Sequence, residues 1–155
     1  MSDTLKATGL AGRVLLSLIF LMAGFGKLAD WSGTEAYMAS HGMVAIPFFL
    51  TIAVLFELGA GTCLLLGWQT RLAALMLIVF LIPATLIFHN LLIFHNFWAY
   101  EGQERMNQMQ HFLKNLAILG GLTTLAATGA VGWALDNRTR RAATELPGRG
   151  GWVAG

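Results

Sequence analysis

The chain has 155 residues, 56% of them hydrophobic and 12% charged, with a formal net charge of +2 and a mean hydropathy of +0.64. A soluble domain of this size carries about 25% charged residues, so the composition excludes an ordinary soluble enzyme, and the length allows one domain. The basic residues are scattered except for Arg138, Arg140 and Arg141, a group that suits an anionic lipid surface and not nucleic acid.

Four apolar blocks follow one another in the chain: Val14–Leu28, Val44–Gly67, Leu72–Phe97 and Phe112–Leu135. Each is close to the ~20 apolar residues that a helix needs to cross a hydrocarbon core of ~30 Å. Lipid offers no partner to backbone polar groups, so the blocks must be helices. The expected fold is all-α, an integral membrane four-helix bundle. The spans leave no length for a soluble catalytic domain. The first block has Lys6 and Arg13 before it but no small-x-small cleavage site after it, so it reads as a retained span. Cys63 is the only cysteine, which excludes an internal disulfide and a CxxC redox pair; it reads as a small apolar filler.

Positive charge near short loops sets orientation. With four spans, one side of the membrane holds Lys6, Arg13, Arg71, Arg138, Arg140, Arg141 and Arg149 against Asp3, Asp136 and Glu145. The other holds Lys27 and Arg105 against Asp30, Glu35, Glu101 and Glu104. Both termini are therefore expected in the cytoplasm, N-in and C-in. Trp31, Trp98 and Tyr100 fall at the outer boundary, and Trp68 and Trp133 at the inner one, as an aromatic belt would. The short link Gly67-Trp68-Gln69-Thr70-Arg71 makes spans two and three an antiparallel hairpin. The two outer connections, one with Gly33, Tyr37, His41 and Gly42, the other from about Trp98 to Met109, read as longer loops.

Ionisable groups inside a span are costly and point at one another or at a cavity. Arg13 and Lys27 bracket span one and share a face with Phe20 and Gly24. Glu57 lies midway along span two, on a face with Ala53, Val54, Ala60 and Gly61; such small residues let another helix approach, so Glu57 should face the bundle. His89 and Asn90, then His95 and Asn96, occupy the outer part of span three. His111, Lys114 and Asn115 open span four. By depth, Glu57, His89, Lys114 and Asn115, roofed by Lys27, form an outer-half cluster, with Lys114 and Lys27 as the candidate cations for Glu57. Each has a plain structural reading beside the functional one: Lys27 as a snorkelling helix end, Arg13 as a topology anchor, His111 as an interfacial side chain, and a buried Glu–Lys pair as a device fixing helix register. The histidines make no metal signature, since no two stand four apart.

Leu86-Ile87-Phe88-His89-Asn90-Leu91 is repeated at once as Leu92-Ile93-Phe94-His95-Asn96-Phe97. Six residues add ~9 Å and rotate the downstream chain by about 240°, which lengthens span three to about 26 residues and sets His89 and Asn96 on nearly one face.

Several segments together resemble the DoxX family of small membrane proteins. Gly12-Arg13 ahead of a run ending Ala23-Gly24-Phe25-Gly26-Lys27-Leu28 looks like its first helix, and Phe56-Glu57-Leu58-Gly59-Ala60-Gly61 with Leu66-Gly67 like its second. Pro83-Ala84-Thr85, Phe94-His95-Asn96-Phe97-Trp98, and Met109 to Gly121 with Lys114-Asn115 complete the pattern. The resemblance covers residues 10–135, between a cytoplasmic N-terminus over 1–9 and a basic, glycine-rich tail over 136–155. It implies a multi-pass protein of the bacterial inner (plasma) membrane. The family's name comes from a thiosulfate:quinone oxidoreductase subunit, and other members resemble partners of oxidoreductase complexes that answer thiol and oxidative stress. The family pattern has one His-Asn-Phe-Trp segment where this chain has two His-Asn copies, which leaves open whether His89 or His95 holds the family position.

The leading functional expectation is an accessory or quinone-interacting subunit of a membrane-associated oxidoreductase system. No haem, flavin or iron–sulfur motif is present, so no cofactor is intrinsic; a quinone is the candidate ligand, and an oxidoreductase or sulfur-metabolism protein the candidate partner. The alternatives are a non-enzymatic membrane scaffold or stability factor and, behind it, a small transporter or proton path through Glu57, which the lack of inverted repeats disfavours.

Overall fold

A computed structural model describes residues 2–89 and 101–138. In chain order the helices are α1 (Asp3–Ala29), α2 (Trp31–Ser40), α3 (Ile46–Leu55), α4 (Gly61–Leu66), α5 (Thr70–Phe88) and α6 (Gly102–Thr128). A π-helical turn, Phe56–Ala60, joins α3 to α4, so that Ile46–Leu66 forms one continuous rod. There is no strand among the described residues. Among the described residues, three rods are long and apolar enough to cross a membrane: Asp3–Ala29, Ile46–Leu66 and Thr70–Phe88. The fourth long helix, α6, has 27 residues but is diluted by Lys114, Asn115 and its threonines.

Local chemistry explains the boundaries. Ser2 caps α1 by accepting from the Leu5 amide at 3.4 Å, with Asp3 in the first turn. Asp30 closes α1 and caps α2, accepting from Gly33 N at 3.0 Å. Both carboxylates complement the positive end of a helix. The rod Ile46–Leu66 starts with Pro47 in its first turn and stops at Gly67, whose φ of +65° is the left-handed conformation that ends helices. Thr70 opens α5 without a side-chain cap of its own. The cap comes from far along the chain: Asp136 accepts from Gln69 N at 2.8 Å and from Thr70 N at 2.9 Å.

The main core joins α1, α4, α5 and α6 through Phe20, Leu64, Leu77, Leu81, Ile118 and Leu122. A second cluster of Met38, Leu50 and Val54 seats α2 on α3. Outside these contacts the rods are bare hydrocarbon: Leu15, Met22, Phe25, Leu55 and Val79 are all more than 60% exposed. Water penalises such a surface, and a lipid bilayer solvates it.

Four differences from the sequence reading stand out. The connection after span one, read as a long outer loop, is largely helix, because Asp30 caps Trp31–Ser40. The Glu- and Gln-rich stretch before Met109 belongs to α6, which begins at Gly102. The last apolar block does not stay helical to Leu135: α6 stops at Thr128, and Gly129 and Gly132, with φ of +76° and +79°, turn the chain back over the bundle end. Residues 3–9, read as a terminal segment, are the first turns of α1. The second copy of the repeat, with His95 and Asn96, lies outside the described residues, as does the length of span three beyond His89.

Candidate functional site

The π turn fixes the position of Glu57. A π turn takes in one residue more than an α turn and often marks a functional position. Here Glu57 is the second residue of the turn and its side chain is 5% exposed. Ala53, Val54, Ala60 and Gly61 are buried on the same side, as the small-residue face requires. Opposite, α1 comes close because Gly24 has no side chain: a Cβ there would stand 2.7 Å from Leu58 Cδ2 and 3.3 Å from Glu57 Cβ. One turn further on, Lys27 reaches across and donates from Nζ to Glu57 Oε1 at 2.8 Å. The other carboxylate oxygen, Oε2, is buried and has no hydrogen-bond partner.

Glu57 and Lys27 form part of the wall of a cavity of about 280 Å³. Phe20, Phe80, Phe88 and Leu81 give it apolar walls, and Thr34, Tyr37, His89, Lys114 and Asn115 add further polar groups to its lining. Of the seven residues picked out by sequence, five therefore border one space, and His95 and Asn96 lie outside the described residues. Of the two candidate cations for Glu57, the structure pairs Lys27 with it and not Lys114. Lys114 donates to His111 Nδ1 at 3.1 Å, one turn back on its own helix, while the glycine-mediated approach of α1 gives Glu57 to Lys27. Asn115 is buried and donates from Nδ2 to Thr85 Oγ1 at 2.9 Å, tying α6 to α5.

The mouth is aromatic. Tyr37 stacks on Phe88 with ring centroids 5.4 Å apart, and His41 meets Phe88 edge-on at 5.2 Å. His89 and His111 lie parallel with centroids 4.7 Å apart, and His89 Nδ1 is 3.0 Å from Gln108 Oε1, its acceptor. His89 follows the last residue of α5. Burial pushes its pKa below the ordinary value near 6.5; the bond to Gln108 opposes this, and the charges of Lys114 and His41 reinforce it. No cluster of three or more metal-ligating side chains occurs among the described residues.

The opposite end of the bundle holds a second polar group, which sequence reasoning treated as topology signals. Arg13 is 1% exposed. It donates from Nε to Leu64 O at 3.2 Å and from its two terminal nitrogens to Val131 O at 3.3 Å and Trp133 O at 2.7 Å. Arg13 is thus a structural clamp as well as a positive charge at this end of the bundle. Asp136 N also donates to Gly67 O at 2.9 Å, and Asn137 holds Ala130 O and Gly132 O. All the acceptors of Arg13 are backbone carbonyls, so this end reads as architecture. The signal in the sequence was Gly129 and Gly132, which break the last apolar block.

Comparison with known proteins agrees with this architecture. Residues 9–90 match the family model described as DoxX. The inner membrane protein YqjF of Escherichia coli (strain K12) is 35% identical over 82% of this chain and 88% of its own length. The inner membrane protein YphA of the same organism is 33% identical over 83% of this chain and 88% of its own. No solved structure matches the chain.

Proposed function

This chain belongs to the DoxX family and is a multi-pass bacterial inner-membrane protein, and from that premise we propose that it binds the head group of a quinone-type molecule as an accessory subunit of a membrane oxidoreductase system. The observation that carries the reading is the cavity between α1, the π turn, α5 and α6. Its walls are phenylalanine and leucine, and a few polar groups, Lys27, Glu57, His89 and Lys114, border it. Ligand sites commonly combine apolar walls with a few fixed polar groups, from ~300 Å³ upward. A volume of about 280 Å³ suits a single substituted ring whose tail runs into lipid. In this reading the protein binds and orients such a molecule for a partner that carries the redox cofactor. Calorimetric titration of the detergent-purified protein with a short-chain benzoquinone/benzoquinol couple tests this. At least one member should bind, and Ala84→Phe, which fills the cavity, should abolish binding. No binding of either form overturns the reading.

In this proposal α6 is the fourth span of a four-helix bundle with both termini in the cytoplasm. Its support is the packing of α6 along α5 and the excess of Lys6, Arg13, Arg71 and Arg138 at one end. Reporter fusions after Arg138 and at Glu101 should report opposite sides of the membrane. A shared side would remove α6 as a span.

One observation favours a second reading, a membrane scaffold without a ligand. Lys27 and Glu57 already satisfy each other's charge, as a pair that only fixes helix register would. Titration that finds no ligand, with the pair still needed for stability, selects it.

A further inference from the structure

Glu57 presents two unlike oxygens. Oε1 takes the Lys27 ammonium at 2.8 Å in an ion pair. Oε2 has no partner, although its residue is only 4% exposed. The other unpartnered buried side-chain oxygen among the described residues, Thr70 Oγ1, sits at the opposite end beside the Asp136 cap. A charged carboxylate oxygen accepts hydrogen bonds and donates none, and leaving one unsatisfied away from water is costly. Glu57 lines the cavity and the last torsion of a glutamate is soft, so a turn of the carboxyl plane would bring the buried Oε2 to face a ligand there.

These facts restrict the ligand beyond its shape, and the step rests on the quinone-type reading above. A quinone carbonyl carries only lone pairs and would meet Oε2 with acceptor against acceptor. A quinol hydroxyl brings a donor. The remaining cation, Lys114, does not discriminate, since a carbonyl and a hydroxyl oxygen both accept from it. We infer that the cavity selects the hydroxylated, reduced member of a quinone/quinol couple, and that Glu57 Oε2 is the acceptor that reads the hydroxyl.

The test uses the purified full-length protein under anaerobic conditions, with a short-chain benzoquinol, its benzoquinone and its dimethyl ether as probes. The wild-type protein should bind the quinol about tenfold more tightly than the quinone or the ether, the margin expected of a hydrogen bond to a charged group. Glu57→Gln should invert the order. Its amide oxygen keeps the bond from Lys27, and its NH2 stands where Oε2 stood and donates to a carbonyl. Wild-type binding of quinone or ether as tight as that of quinol overturns the inference and leaves a ring-binding cavity standing. Failure of all three probes overturns both. The comparison of quinol with ether needs no variant, so a Glu57→Gln protein that does not fold leaves a decisive measurement in hand.

Discussion

Lys27 and Glu57, thirty residues apart in sequence, meet at 2.8 Å across the α1–π-turn contact, and Lys114, which borders the same cavity, binds His111 instead. Removing one member of a buried pair strands the other charge and typically costs about 3–5 kcal/mol. The Lys27 side chain is 26% exposed, which places this pair at the lower end. Lys27→Met and Glu57→Gln should each lower the stability of the detergent-solubilised protein, and the double variant should lose less than the sum. The same cycle with Lys114→Met and Glu57→Gln should be additive. Coupling to Lys114 in place of Lys27 would refute the pairing.

Arg13 should tolerate no substitution at all, lysine included. A planar guanidinium spreads its donors over three carbonyls, and an ammonium on a flexible stem does not reproduce that fan. Arg13→Lys should lower the thermal midpoint by several degrees, and Arg13→Leu by more, because one buried and two part-buried carbonyls then lose their donor. A midpoint for Arg13→Lys equal to that of the parent would show that the clamp works as a point charge.

Asp136→Ala removes a cap supplied from sixty-six residues away. Loss of an N-cap costs about 1 kcal/mol, up to ~2. The effect should concentrate in hydrogen exchange at the start of α5, with Gln69, Thr70 and Arg71 amides exchanging faster and the Glu57 region unchanged. Uniform acceleration throughout the bundle would mean that residues 129–138 fold as one unit with the core.

His89 gives a pH signature. Its folded pKa is depressed, chiefly by burial, so the unfolded chain binds the proton more readily. The contribution of neutral His89 is then fully present above its unfolded pKa near 6.5 and is lost as pH falls through the lower folded value. Stability should decline on acidification from pH 7, and His89→Gln, which can still hydrogen-bond Gln108, should flatten that decline. An unchanged slope in the variant would assign the acid sensitivity to other groups.

Much of the architecture was legible in the sequence, because lipid leaves a chain few options. An apolar block of the right length must be a helix, and the small-residue stripe around Glu57 could only face another helix. What the sequence hid were relationships set by single close approaches. Lys27 and Lys114 are equivalent by depth, and the choice between them turns on Gly24, whose missing Cβ lets α1 reach the π turn. Arg13 looked like a topology signal because its acceptors are carbonyls, which carry no side-chain signature. The helical segment Trp31–Ser40 was hidden by its mixed composition, with only the Asp30 cap to announce it.

The acceptors of Arg13 also bear on how the protein is made. Val131 and Trp133 leave the ribosome about 120 residues after the arginine, when the apolar rods have already been synthesised. Until then a guanidinium waits at the membrane with only the Leu64 carbonyl to hold it. The clamp on Arg13 is therefore complete only once residue 133 has been made. A product truncated before residue 131 lacks two of the three carbonyls that hold this guanidinium, so its first helix is held to the bundle less firmly.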